Sequence, residues 1–262
     1  MKAKLVSTLV LALAALSLVA EPAAAWRGRK VAFLGDSITD RQHIGCTSNY
    51  WNFLARDLGV VPLVYGINGH QMKHLLGQAQ RLKAEHPDDV DAIFVFAGTN
   101  DYNANVPLGE WYTESEQLVV RNGRQVWLRR RAFVCGEDTF RGRINALMRF
   151  LRENFPAQPI YVLTPIHRGF AQFGTTNVQP DETHANEIGL YIDAYVAALK
   201  EAGNVWAATV IDLNAESGLF PLAKGHARYF HDAARDMLHP NTVGHERIAA
   251  AIERRLGAAP LR

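Results

Sequence analysis

Five short apolar runs recur along the chain, at residues 31–34, 61–65, 92–97, 160–164 and 208–213. Amphipathic stretches separate most of them, among them 50–58, 72–85, 140–154 and 185–202. Apolar runs without polar alternation suit strands buried on both faces. Their alternation with helical patterns predicts a parallel sheet held between two helical layers. The expected fold class is α/β: a three-layer α/β/α sandwich on a five-stranded parallel sheet. A last helix over 241–256, capped by Asn241 and apolar at Val243, Ile248, Ile252 and Leu256, should pack against that sheet.

Three polar motifs each follow one of the first three runs: Gly35-Asp36-Ser37, Gly66-Ile67-Asn68-Gly69 and Gly98-Thr99-Asn100-Asp101. In open parallel sheets, ligands bind outside the carboxyl ends of the strands, where these motifs fall. A fourth motif, Asp236-Met237-Leu238-His239-Pro240, lies about two hundred residues beyond the first. Ser37, His239 and Asp236 are the parts of a nucleophilic site: the imidazole takes the hydroxyl proton and the carboxylate fixes the imidazole tautomer. Acyl transfer also needs donors aimed at the developing oxyanion. The Ser37 N–H, the Gly69 N–H and the Asn100 amide are the candidates. Asp36 and Asp101 are expected to brace their loops, and acid and base to share one loop. His231 and His245 are rival histidines, but His245 falls on the last helix and His231 has no matching motif. A Gly-x-Ser-x-Gly elbow deep in the chain, which an α/β-hydrolase requires, does not occur.

With these four blocks in this order, the chain resembles the SGNH (GDSL-type) hydrolase family over roughly residues 30–256. The resemblance implies a flavodoxin-like fold, esterase or acylhydrolase activity, and neither metal nor cofactor. It assigns the four family residues to Ser37, Gly69, Asn100 and His239, with Asp236 as the acid. The first block reads Gly-Asp-Ser-Ile-Thr, and Asn68 stands where many relatives carry Ser.

The basic start, the apolar stretch 5–20 and the small residues up to Ala25 read as a signal peptide over 1–25, so the hydrolase domain is 26–262 and the protein is expected to be secreted or periplasmic, without a stable membrane anchor. A formal net charge of +2 excludes the basic footprint of a nucleic-acid binder. The dense basic run Arg129-Arg130-Arg131 reads as a solvated segment. In an exported chain Cys46 and Cys135 could form a disulfide; neither has the spacing of a zinc site.

Residues 102–138 form an expected insertion. Within it, Asn122-Gly123 between two β-rich runs predicts a hairpin. Its place beside Asn100 points to a wall of the substrate cleft, with Tyr102, Trp111 and Tyr112 available to stack on a sugar or cover an acyl chain. His167 and Arg168, after the fourth run, are further candidates; Arg168 could meet an anionic group or form a structural ion pair. The substrate is expected to be a small-molecule or polysaccharide ester, and export, the aromatic insertion and the polar segment 103–105 favour a carbohydrate. A lipase, lysophospholipase or acyl-thioesterase is the alternative.

Overall fold

A computed structural model of the chain describes residues 24–258; the expected signal segment therefore falls almost wholly outside the described residues. The central sheet has five parallel strands, β1 (Lys30–Gly35), β2 (Val61–Val64), β3 (Ala92–Phe96), β6 (Ile160–Leu163) and β9 (Thr209–Ile211), in the order β2-β1-β3-β6-β9. That is the flavodoxin-like order, whose switch point lies between β1 and β3. The helices α1 (Tyr50–Leu58) and α7 (Thr242–Ala258) cover one face of the sheet. The other face carries α2 (Met72–Glu85), α4 (Phe140–Asn154) and α5 (Ile192–Trp206). The chain is thus a three-layer α/β/α sandwich.

The strands are apolar throughout because both faces are covered. Val31 and Phe33 enter the core shared with α1 and α7, while Ala32 and Leu34 enter the core shared with α2, α4 and α5, as the two-residue period of a strand requires. Burying one such aliphatic or aromatic side chain stabilises the fold by roughly 1.5–3 kcal/mol. Short elements fill the connections: α3 (Thr99–Asn103) directly after β3, and α6 (Leu213–Glu216) directly after β9. Residues 185–191 do not begin α5. Asn186 instead closes a turn, its Oδ1 accepting from Leu190 N–H at 2.9 Å, a local bond that competes with helix.

A second, four-stranded antiparallel sheet was not foreseen. It joins β10 (Phe230–Asp232), β11 (Asp236–Pro240), β7 (Ala171–Phe173) and β8 (Asn177–Gln179) in the order β10-β11-β7-β8. The Asp236–His239 motif therefore lies on a strand, not in a loop.

The insertion contains the expected hairpin, β4 (Tyr112–Arg121) paired with β5 (Arg124–Phe133). Asn122 and Gly123 both have positive φ, 53° and 74°, as a type I′ turn demands. Its base is tied to the helical layer: Phe133 stacks on Trp206 with ring centroids 4.3 Å apart, and Asn145 Nδ2 donates to the carbonyls of Trp111 and Val134. Trp206 ends α5 just before β9 begins, at the edge of the sheet away from the carboxyl strand ends. The hairpin consequently leaves the body on the side opposite to the one expected, and Trp127 at its outer end is 65% exposed. Arg129 and Arg131 pair with Glu114 on its surface.

Cys46 and Cys135 are free thiols, a correction to the disulfide expectation. Cys46 sits beside the starts of α1 and α7, its Sγ donating to Asn49 Oδ1 at 2.8 Å. Cys135 lies near Arg149 and Glu153 of α4. The central sheet stands between them.

Candidate active site

Ser37 follows β1 in a tight turn. Thr39 N–H donates to the Asp36 carbonyl at 3.0 Å, and Ile38 N–H donates to Asp36 Oδ1 at 3.0 Å. Asp36 thus braces the turn from below while Ser37 faces a cleft of about 380 Å³. Burial pushes the Asp36 carboxyl up to about 7, beyond what the Ile38 bond recovers.

His239 reaches this cleft from β11, with Nε2 2.9 Å from Ser37 Oγ. Its Nδ1 lies 2.9 Å from Asp236 Oδ2 and 3.1 Å from Oδ1. An ideal strand points residues i and i+3 to opposite faces. Here the backbone curls around the carboxylate, with Leu238 and His239 N–H both donating to Asp236 Oδ1, at 3.2 and 3.0 Å. That curl is why a three-residue spacing brings acid and imidazole together. Immediately afterwards Asn241 Oδ1 accepts from Gly244 N–H and caps α7. Burial works to raise the Asp236 carboxyl, but the bonds from His239 and His231 outweigh it and hold the group below its usual range. It is a carboxylate at neutral pH and so only accepts, which fixes the proton of His239 on Nδ1 and leaves Nε2 free to receive one from Ser37.

The three candidate oxyanion donors line the same cleft. Among the described residues, no protein acceptor engages the N–H of Ser37 or of Gly69. Gly69 has φ +77° with open space around its Cα, so the backbone conformation, not crowding, favours glycine. Asn100 gives one amide hydrogen to the His70 carbonyl at 3.0 Å, and the second remains for a ligand.

Residues that carry no motif support this arrangement. Asp40 accepts from Asn68 N–H at 2.7 Å and from Gln42 N–H at 2.9 Å, joining the first block to the second. Gln78, on the buried stripe of α2 with Met72, Leu75 and Leu82, grips Gly35 through both its N–H and its carbonyl. A polar residue on an apolar helical face is a signal visible in sequence. Asp101 accepts from Met72 N–H at 2.8 Å and pairs with buried Arg143 at 2.7 Å, tying α3 to α2 and α4.

The four candidate substrate contacts lie outside the catalytic cleft, although Tyr102 lines the cleft beside it. Trp111 is buried, donating to Glu201 at 2.7 Å. Tyr102 is buried under the Arg168 guanidinium, 5.0 Å from its ring centroid, and donates to the His184 carbonyl. His167 meets Glu182 at 2.7 Å. Arg168 is 1% exposed and bonded to Thr99 and Gln179; it faces no substrate and, among the described residues, makes no ion pair. None of residues 112–133 lines the cleft. Six of the thirteen residues that do are amides, with Ile44, Ala104, Phe173 and Leu238 as its apolar part. His245 is fully buried in the core, its Nδ1 accepting from Tyr50 N–H. Among the described residues no group of three or more His, Cys, Asp or Glu side chains could hold a metal ion, and no helix is long and apolar enough to cross a membrane.

A flavodoxin-like sheet with a serine, an imidazole and a carboxylate in contact at its switch point defines a serine-hydrolase class of site. The sequence model of the GDSL-like lipase/acylhydrolase family matches residues 33–247, and the chain belongs to that family. Among solved structures, a protein from Lactobacillus plantarum is 27% identical, with a TM-score of 0.69 over 89% of this chain and 98% of its own. A possible lipase from Chitinophaga pinensis is 19% identical, with a TM-score of 0.65 over 89% and 99%. A member of the lipolytic G-D-S-L family from Veillonella parvula is 14% identical, with a TM-score of 0.57 over 87% and 97%. The last two likenesses are of fold. Comparison with curated proteins gave no match.

Proposed function

We propose that this chain is an exported serine esterase that removes short acyl groups, acetyl above all, from a carbohydrate. The observation that carries this reading is the 2.9 Å contact of His239 Nε2 with Ser37 Oγ inside an amide-lined cleft. Ser37 Oγ gives its proton to His239 Nε2 and bonds to the ester carbonyl carbon. The oxyanion so formed takes hydrogen bonds from Ser37 N–H, Gly69 N–H and Asn100 Nδ2. On collapse the C–O bond to the alcohol breaks, and the proton on His239 goes to the departing oxygen. Water then gives a proton to His239, attacks the acyl-serine and releases the acid, and Ser37 regains its proton. Asp236 stays ionised throughout and stabilises the imidazolium. Export is supported by the character of residues 1–25.

Lipase or acyl-thioesterase action is the second reading, favoured by Ile44, Phe173 and Leu238 in the cleft wall. The test is acid release from acetylated polysaccharides, short- and long-chain aryl esters and an acyl thioester, with Ser37→Ala as the blank. Ser37-dependent acetate release, with activity falling steeply as the acyl chain lengthens, is expected. A preference for long chains or thioesters would move the protein to the second reading, and turnover persisting in Ser37→Ala would remove the nucleophile.

A further inference from the structure

Beside the catalytic cleft lies a second one of about 420 Å³, and the two share Asn103 and Asn177 as a common threshold. We propose that the second cleft binds the alcohol half of the ester, a neutral glycan, with Asn177 as the donor that receives a sugar oxygen at the threshold. This deepens the carbohydrate-esterase reading and rests on it.

The orientation of Asn177 follows from a buried cation. Arg168 Nη2 donates to Gln179 Oε1 at 2.8 Å, and Gln179 Nε2 donates to Asn177 Oδ1 at 2.9 Å. A guanidinium cannot accept a hydrogen bond, so only the carbonyl end of Gln179 can face it. The amide end of Gln179 must then face Asn177, and Asn177 can offer it only Oδ1. The Asn177 NH₂ group is left to the two clefts as a donor of fixed polarity. Gln179 is itself buried, so its contact with Arg168 is shielded, while Asn177 is exposed at the cleft edge.

The remaining walls select against charge. The residues lining the catalytic cleft include no Lys, Arg, Asp or Glu, and Glu187 is the one such residue lining the second. Glu187 is engaged with Asn105, accepting from its Nδ2 at 3.1 Å and giving N–H to its Oδ1 at 2.8 Å. An anionic headgroup or a uronic acid would find a carboxylate and no cation. Neutral hydroxyls would find amides.

The experiment compares kcat/KM for acetylated xylotriose with kcat/KM for 4-nitrophenyl acetate in wild type, Asn177→Ala, Asn177→Asp and Ala185→Trp. Ala185 is exposed and lines only the second of these clefts, so a tryptophan there obstructs it. The ratio of the two constants should fall about tenfold in Asn177→Ala, the worth of one neutral hydrogen bond. It should fall at least as far in Asn177→Asp, which keeps the bond from Gln179 but has no donor, and in Ala185→Trp. An unchanged ratio in all three, with wild type active on the trisaccharide, overturns the second cleft and leaves the esterase reading standing. A wild type that releases acetate from 4-nitrophenyl acetate but from no acetylated oligosaccharide overturns both.

Discussion

His231 Nδ1 lies 3.1 Å from Asp236 Oδ2, the same oxygen that faces His239 Nδ1. Because the Asp236 carboxylate only accepts, His231 holds its proton on Nδ1 and secures the acid from the solvent side, where its own side chain is about half exposed. A hydrogen bond to a charged group contributes about 1.5–3 kcal/mol net, and less where the donor is half exposed, so His231→Ala should lower kcat by about tenfold with little change in KM. His231→Asn, whose amide can donate, should recover part of the loss. Steady-state kinetics on an aryl acetate decide this, and an unaltered kcat would leave His231 without a positioning role.

Asn100→Ala should lower kcat by roughly 10²–10³, the cost typical of one oxyanion donor. The Asn100 amide also holds the His70 carbonyl, so the melting temperature should be followed beside kcat. A large kcat loss with a near-native melting temperature separates charge stabilisation from loop packing; an unchanged kcat removes Asn100 from the oxyanion site.

The Asp36 carboxyl is pushed by burial from 3.8 up to about 7. Between these values the folded chain keeps a proton that the unfolded chain has released, so this group lowers stability as pH rises across that window and does so fully above it. Asp36→Asn keeps an acceptor for Ile38 N–H and removes the titration. Its melting temperature relative to wild type should therefore be more favourable at pH 8 than at pH 5. Equal differences at the two pH values would show that Asp36 does not titrate in the folded state in this range.

Ser115 pairs with Arg130 in the same register class as Arg121 with Arg124, next to the turn. Replacing residues 116–129 by Asn-Gly should thus close a shorter hairpin without moving its base on Trp206. The kcat/KM for an aryl acetate should stay within about twofold, because none of the removed residues lines the cleft; a tenfold fall would place the hairpin at the site after all.

Thiol titration of the unfolded, non-reduced protein should find two thiols, and reductant should leave the melting temperature unchanged. A result of no thiols would restore the Cys46–Cys135 bond that the intervening sheet argues against.

The sheet, the layers and the motifs that carry Ser37, Gly69 and Asn100 were legible because each rests on local pattern, an apolar run and then a polar motif at its carboxyl end; Asp236 and His239 were legible only as a spaced pair. What sequence did not reveal depends on distant partners. Arg168 reads as a cation for an anionic group or a structural ion pair until Tyr102, Thr99 and Gln179 are known to enclose it. Trp111 looks like a sugar platform until its indole N–H is found on Glu201, ninety residues away. The hairpin was legible from Asn122-Gly123, but its direction is set by Phe133 meeting Trp206. The curl that makes Asp236 and His239 neighbours comes from two backbone bonds to one carboxylate, which no period in the sequence announces.

Ser37 and His239 stand 202 residues apart in sequence. During synthesis from the amino terminus, the nucleophile and all three oxyanion donors emerge early, while the acid and base arrive only with the strand that precedes α7. Until then the serine has no group to take its proton. A nascent or clipped chain ending before residue 236 therefore carries the candidate nucleophile and oxyanion donors in its sequence but neither the candidate acid nor the candidate base.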